Sequence, residues 1–350
     1  MRTMNGTSIL VFLLLLTTST IVKAQDDNPV EYMNMVNKAE EEANQKYLLY
    51  VSTAAHSGRV KKIEKMRQQA IDGIVNSRNK AIALPLYKGD KALRQSSIDY
   101  LNFLYLVFTD DYKRIVNMED IAEQSFNEMQ AYLLLQEKTS EKLAEANAKR
   151  NKATDDFAAK YNINLIKEKS EQSEKQKKAG EVIHYRNNVY LIFFKCYWQW
   201  NELIKAVDSK KVNAIEQART ALITYSKEGM MSLDTLKNFA GDPSLANACR
   251  HALNQYKRMA ENDVPKMTDY YLKEENFEKV KRSFDSKPQS SRTQQDVNAY
   301  NKAVNEMNAA VNVFNSISQQ TNRTANEIGS GYDKADKEFA DKHTPYFKKS

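Results

Sequence analysis

The sequence predicts an all-α protein made of two tandem four-helix, up-down bundle-like units of long helices, which together form an elongated molecule. Two observations predict this fold class. Apolar residues recur at spacings of three and four along most of the chain after Pro29, and the alternation typical of a β-strand never persists. In addition, the 350 residues include only 9 Gly and 6 Pro, too few for the many tight turns of an all-β domain.

Residues 1–24 have the pattern of a cleavable signal peptide. A basic start at Arg2 precedes an apolar run over residues 9–16, and Val22-Lys23-Ala24 is typical of a signal-peptidase site. A spanning helix needs about 20 apolar residues, so we expect cleavage after Ala24 and no integral membrane span afterwards. A retained membrane anchor is the alternative. Because no cysteine follows the run, we expect no lipid anchor on the mature chain.

The periodic segments that follow predict eight long helices. Short breaks containing Gly, Pro, Ser or Asn separate them, and both Asn117 and the pair Asp242-Pro243 are typical helix starts. In the last segment, apolar residues from Val297 to Phe314 follow the spacing of a coiled-coil seam. The predicted helices span residues 30–56, 59–83, 91–116, 119–161, 180–208, 211–239, 243–285 and 292–342.

The sequence also contains an internal repeat. When the chain is aligned with itself at an offset of 152 positions, identical residues recur from Ala54/Ala206 to Leu101/Leu253, and the alignment needs no gap. Near the end the offset is 182, so the second copy carries 30 extra residues. We interpret the chain as a first four-helix unit, a polar joint or solvated helix, and a second four-helix unit, over residues 25–166, 167–179 and 180–350.

Features that both copies share are expected to belong to the common scaffold. Glu64 and Arg67 recur as Glu216 and Arg219, and residues three apart meet on one face of a helix. We interpret them as structural ion pairs. A buried carboxylate–arginine site for an anionic ligand is the alternative.

The sequence shows no constellation for catalysis, cofactor binding or metal binding. Its four histidines are far apart, and none has a second ligand at a recognised metal spacing. Paired acids such as Asp110-Asp111 point in different directions on a helix, and no phosphate-cradling glycine loop occurs. The sequence therefore predicts no enzyme activity and no cofactor. The net charge of +7, without a basic block interleaved with aromatics, indicates no nucleic-acid partner.

The two cysteines are expected to remain unpaired. Counted along their predicted helices at about 1.5 Å per residue, Cys196 and Cys249 lie at different heights in the second bundle. A disulfide tolerates Cα atoms no more than about 7 Å apart. We therefore predict two buried thiols, although an exported chain meets conditions in which a disulfide would persist.

An aromatic-rich helix in the second copy offers the strongest local candidate for binding. Large rings surround much of residues 185–203, as in a helix that is central in its bundle or that lies at an interface. Core packing is one interpretation, and a partner groove is the other, because Trp and Tyr anchor interfaces. The candidate partner-binding residues are Tyr190, Phe194, Tyr197, Trp198 and Trp200.

With its signal peptide, long helices and duplicated units, the chain resembles uncharacterised exported all-helical envelope proteins of Bacteroidetes-type bacteria and similar surface proteins of spirochaetes. The resemblance implies an envelope or surface location and a non-catalytic role. These relatives often carry a lipid anchor, whereas this chain lacks the cysteine for one. That difference favours the periplasm or secretion.

The leading functional hypothesis is an exported, non-catalytic helical protein that binds a macromolecular partner in the cell envelope or outside the cell. One alternative is a small-ligand carrier or enzyme with a site between the two helical units. Another is a structural spacer whose length is its function.

Overall fold

The computed structural model describes residues 19–21, 28–56, 60–111, 122–167 and 171–347. The predicted cleavage site after Ala24 and the predicted helix start at Asn117 lie outside them. Within these residues the protein is all-α, as the sequence predicts. Its helices are α1 (Pro29–His56), α2 (Val60–Ala83), α3 (Ala92–Leu106), α4 (Phe126–Lys160), α5 (Glu171–Asp208), α6 (Val212–Thr235), α7 (Ser244–Asn262), α8 (Val264–Asp285) and α9 (Gln294–His343).

Short elements accompany the helices. A π-helical turn, Val107–Asp111, continues α3, and a 3-10 turn, Gln289–Ser291, precedes α9. Two three-residue strands, β1 (Ser19–Ile21) and β2 (Leu165–Lys167), pair antiparallel. The strand β1 falls within the segment that we interpret as the signal peptide.

Several helix boundaries differ from the prediction; for example, α6 ends at Thr235 instead of residue 239. The single helix predicted over 243–285 is divided at Asp263 into α7 and α8, because Pro265 has no N–H to continue the hydrogen-bond ladder. Helix α4 begins at Phe126 instead of residue 119, and the Ser125 hydroxyl caps it by accepting a hydrogen bond from the Glu128 N–H at 3.1 Å. Helix α5 begins at Glu171, so much of the predicted polar joint is helical.

The chain divides into two compact units. The first comprises residues 1–187 and 338–350, and the second comprises residues 188–337. In the first unit, successive helices run antiparallel. Glu42 of α1 binds Lys80 of α2, Arg78 of α2 binds Asn102 of α3, and Asp90 before α3 binds Lys160 at the end of α4. Aromatic rings fill this core, where Phe108 meets Tyr47 and Tyr50 edge to face with centroids 5.8 and 5.6 Å apart.

The core of the second unit contains both cysteines. Cys196 of α5 and Cys249 of α7 are buried and form no disulfide, which confirms the prediction of two thiols. Burial raises the pKa of Cys196 to about 12 and raises that of Cys249 as well. Both side chains are therefore neutral thiols that fill core space.

The two copies of the repeat have matching turns before their third helices. Lys88-Gly89 have φ angles of 49° and 80°, and Ala240-Gly241, which lie 152 positions later, have 50° and 76°. In both turns an aspartate accepts a hydrogen bond from the N–H two residues on, at 2.8 Å for Asp90 and 2.9 Å for Asp242. The Glu64–Arg67 and Glu216–Arg219 ion pairs form in both copies too.

Candidate functional site

A groove of about 960 Å³ runs along the first unit between α3 and α4, and we call it the first groove. The antiparallel packing of the two helices places the start of α3 beside the end of α4, so the groove follows both helices over several turns. It is lined by Lys88, Gly89, Asp90, Lys91, Ala92, Gln95, Ser96, Asp99, Tyr100, Phe103, Lys142, Glu145, Ala146, Lys149, Arg150, Lys160 and Tyr161.

The charged residues that line the first groove are mostly cationic, with five lysines and one arginine against three carboxylates. One lysine is neutralised at the end of the groove, where Lys160 Nζ lies 2.7 Å from Asp90 Oδ2. The hydrogen bond from Lys160 lowers the pKa of Asp90, and the same contact raises that of Lys160. By contrast, Lys91, Lys142 and Lys149 are exposed and have no ion pair with any residue that the structure describes.

A buried ion pair lies beneath this surface. Arg150 Nε donates to both carboxylate oxygens of Glu40, at 3.0 and 3.1 Å, and these side chains are only 6 % and 2 % exposed. The remaining guanidinium nitrogens donate to Asn37 Oδ1, at 2.7 Å, and to the Thr154 hydroxyl. Because every guanidinium nitrogen has a partner, Arg150 is held in one orientation and its charge is balanced by Glu40.

Tyr100 of α3 lies next to this pair. Burial raises the pKa of Tyr100 well above its usual value, and the Glu40 charge adds to the increase. The Tyr100 hydroxyl is buried and has no hydrogen-bond partner among the described residues. The floor of the first groove is thus a neutral, rigid layer, and the net positive charge is confined to its exposed rim.

A second groove, of about 400 Å³, lies in the second unit between α7 and α9. It is lined by Ala248, His251, Ala252, Gln255, Arg258, Thr324, Glu327, Ile328, Gly331 and Tyr332. All of these except Arg258 lie 152 or 182 positions after a residue that lines the first groove. The two grooves therefore occupy the same positions of the repeat.

The chemistry of the two grooves differs. Thr324 and Gly331 stand where the first groove has Lys142 and Lys149. The buried Glu40–Arg150 pair likewise corresponds to Ile192 and Tyr332. The surface lysines and the polar floor are thus specific to the first copy.

The five aromatic candidates predicted from the sequence lie on α5, outside both sets of groove-lining residues. Phe194 and Trp200 are buried, whereas Tyr190, Tyr197 and Trp198 are half-buried. Tyr190 contacts Phe194 and Tyr332 with ring centroids 5.8 and 6.2 Å apart. Most of this aromatic area packs inside the second unit.

The first groove was not predicted from the sequence. The sequence pattern that could have indicated it is in α4, where the buried face of the helix contains polar residues at positions that are normally apolar. A comparison of the copies at an offset of 182 also shows the lysine differences. The buried polar residues of this stripe are Gln136, Thr139, Asn147, Arg150 and Thr154.

No set of three or more metal-ligating side chains converges among the described residues. Within the same residues, no helix combines the length and the hydropathy that crossing a membrane requires. In comparisons with known proteins, no family model matches the chain, and no curated protein or solved structure matches it either.

Proposed function

We propose that this protein is an exported, non-catalytic binding protein that holds an anionic segment of a macromolecular partner in the first groove. The observation that carries the proposal is that Lys91, Lys142 and Lys149, on the rim of that groove, are exposed and form no ion pair with a residue that the structure describes. Cations attract anionic ligands and speed their association when no neighbouring carboxylate neutralises them. The partner belongs to the cell envelope or to the extracellular space, in line with the predicted signal peptide.

The spread of the cations favours a macromolecule over a small ligand. Along α4 the rim extends from Lys142 to Lys160, which is 18 residues or about 27 Å at 1.5 Å per residue, although Lys160 itself is paired with Asp90. Lys149 lies between these ends, and Lys91 lies on the opposite wall. A small anion would contact one or two of these lysines, whereas a chain segment would contact most of them.

The comparison of the two copies supports the same conclusion. The turns, the ion pairs of the second helices and the groove positions recur in both copies, and these features serve the shared scaffold. The scaffold does not require lysine at positions 142 and 149, because the second copy has threonine and glycine there. A role in binding explains the lysines of the first copy.

Binding of fluorescein-labelled poly-L-glutamate, followed by fluorescence anisotropy at low and at physiological salt, tests the proposal. We expect saturable binding that weakens as salt screens the charges. Reversing the rim charges in Lys91→Glu/Lys142→Glu/Lys149→Glu should weaken binding by about tenfold or more.

The matched control is Lys61→Glu/Lys62→Glu/Lys65→Glu, which makes the same charge change at exposed positions of α2 in the same unit. We expect this control to bind within about twofold of the unaltered chain at physiological salt. Equal losses in both variants would show that only net charge matters and would refute the first groove as the site.

A further inference from the structure

We propose that the partner presents an amphipathic α-helix with acidic residues seven positions apart, and that this helix lies in the first groove along α4. The inference rests on the proposed function and specifies the chemistry of its partner. A helix in a groove between two helices is a recurrent mode of peptide recognition, in which one face supplies apolar contacts and flanking charges set the register.

The spacing of the rim lysines carries the inference. Lys142 and Lys149 are seven residues apart on α4, which is two helical turns or about 10.5 Å. A partner helix alongside α4 has the same rise, so acids at positions i and i+7 meet both lysines. In an extended strand, residues on one face repeat at about 6.8 Å and fall out of register with them.

The walls of the groove show the same periodicity. On α4, Glu145 and Ala146 lie between the two lysines, three and four residues after Lys142, so they are on the same face of the helix. On α3, the groove-lining residues include Ala92, which is exposed, and Ser96 and Phe103, which are half-buried, at helical spacing. Two helices thus present parallel stripes toward one groove, and a third helix can lie in the groove between them.

The middle of the groove suits an apolar helix face. Ala92 and Ala146 have small side chains that permit a close approach, and the half-buried rings of Phe103 and Tyr161 supply apolar surface. The Arg150 guanidinium does not require a ligand, because Glu40, Asn37 and Thr154 already accept its hydrogen bonds.

The carboxylates of the groove favour a spaced pattern of negative charge over a uniform one. Asp99 and Glu145 also line the groove, so the lysines still attract a ligand with negative charge at every position, such as poly-L-glutamate, but it loses part of that attraction at these two residues. A helix with acids only at seven-residue spacing avoids these two residues and still faces Lys142 and Lys149.

Two synthetic peptides of identical composition test the inference by fluorescence anisotropy on the full exported chain. The heptad peptide has Glu at each seventh position and Leu and Ala on its apolar face, and the scrambled peptide has no amphipathic face. We expect the heptad peptide to bind about tenfold more tightly than the scrambled one. Lys142→Glu/Lys149→Glu should abolish that preference, and Lys61→Glu/Lys65→Glu should preserve it.

A charge swap makes the test independent of folding defects. A heptad peptide with Lys in place of its Glu residues should bind Lys142→Glu/Lys149→Glu about tenfold more tightly than it binds the unaltered chain. Equal affinity for the heptad and scrambled peptides would overturn the helix inference, while rim-dependent poly-L-glutamate binding would leave the proposed function in place. Undiminished heptad binding by Lys142→Glu/Lys149→Glu would also overturn it.

Discussion

Arg150 illustrates how a single residue determines the character of the first groove. Its guanidinium lies in the buried stripe of α4, where desolvation is expensive for a charged group. Three partners from two helices satisfy it, since Glu40 and Asn37 belong to α1 and Thr154 belongs to α4. The pair therefore fixes the register of α1 against α4 beneath the lysine rim.

Removing one member of this pair should destabilise the first unit strongly. Arg150→Met leaves the Glu40 carboxylate buried without its counter-ion, which we expect to cost about 3–5 kcal/mol in the free energy of unfolding. Glu40→Leu/Arg150→Met removes both charges, and we expect it to recover most of that loss because the second copy has Ile192 and Tyr332 there.

Urea denaturation followed by circular dichroism measures the stability of Arg150→Met, of the single variant Glu40→Leu and of the double variant. Double-mutant analysis then gives the coupling between the two side chains. A double variant that is as unstable as the sum of its single variants would show that the pair is not coupled.

For single residues, the sequence predicted the state of the two cysteines but not the burial of Arg150. The two thiols followed from helix register and are confirmed. Arg150 was missed because a single arginine within a polar stretch looks like an exposed residue. Its burial depends on Glu40, which lies 110 positions earlier in the sequence.

At the scale of elements, the start of α9 is held by a reciprocal capping arrangement. The Thr293 N–H donates to Asp296 Oδ2 at 2.9 Å, and the Asp296 N–H donates to Thr293 Oγ1 at 3.2 Å. Lys287 Nζ also donates to Asp296 Oδ1 at 2.6 Å. The hydrogen bonds that the Asp296 carboxylate accepts, from Lys287 foremost and then from the N–H and the hydroxyl of Thr293, lower its pKa from 3.8 to about 2.

The stability that Asp296 contributes should therefore depend on pH in a defined window. A carboxylate whose pKa is lowered by folding stabilises the native state fully above its unfolded pKa of 3.8, and this contribution disappears as pH falls to about 2. Asp296→Asn should accordingly be less stable than the unaltered chain near neutral pH and should approach it at about pH 2. Thermal unfolding measured across this range tests the prediction, and a constant difference between the two proteins would contradict it.

Helix boundaries show where sequence periodicity loses information. The apolar spacing continues through Asp263, so it predicted one helix where Pro265 divides two. Periodicity reports which face is buried, whereas termination depends on a missing donor or on a cap such as Ser125. Both signals were present in the sequence, but the spacing of the apolar residues outweighed them.

At the scale of the whole molecule, the chain combines a repeated scaffold with unequal surfaces. The sequence predicted the all-α class and the offsets of 152 and 182 between copies, and the lining residues of the two grooves are separated by the same offsets. It did not predict a groove, because a groove depends on the gap between neighbouring helices and on side chains from two separate segments. Comparing equivalent positions then separates residues that serve the scaffold from residues specific to one copy.

If the lysines confer binding, moving them to the second groove should create a second site. Thr324→Lys/Gly331→Lys places lysine at the positions equivalent to Lys142 and Lys149. A Cβ at Gly331 meets no heavy atom within 4 Å, so the backbone accepts a side chain there, and replacing glycine inside a helix favours the helical state. We expect the stoichiometry of heptad-peptide binding to rise from one to two per chain, as measured by isothermal titration calorimetry.

The same replacements also allow the binding activity to be relocated. With Lys142→Glu/Lys149→Glu in the first groove and Thr324→Lys/Gly331→Lys in the second, a stoichiometry of one should return. Cross-links from the peptide should then map to α7 and α9 instead of α3 and α4. A chain that gains no site from the new lysines would show that rim charge alone is insufficient for binding and that the other differences between the grooves, such as the volumes of about 960 and 400 Å³, are needed as well.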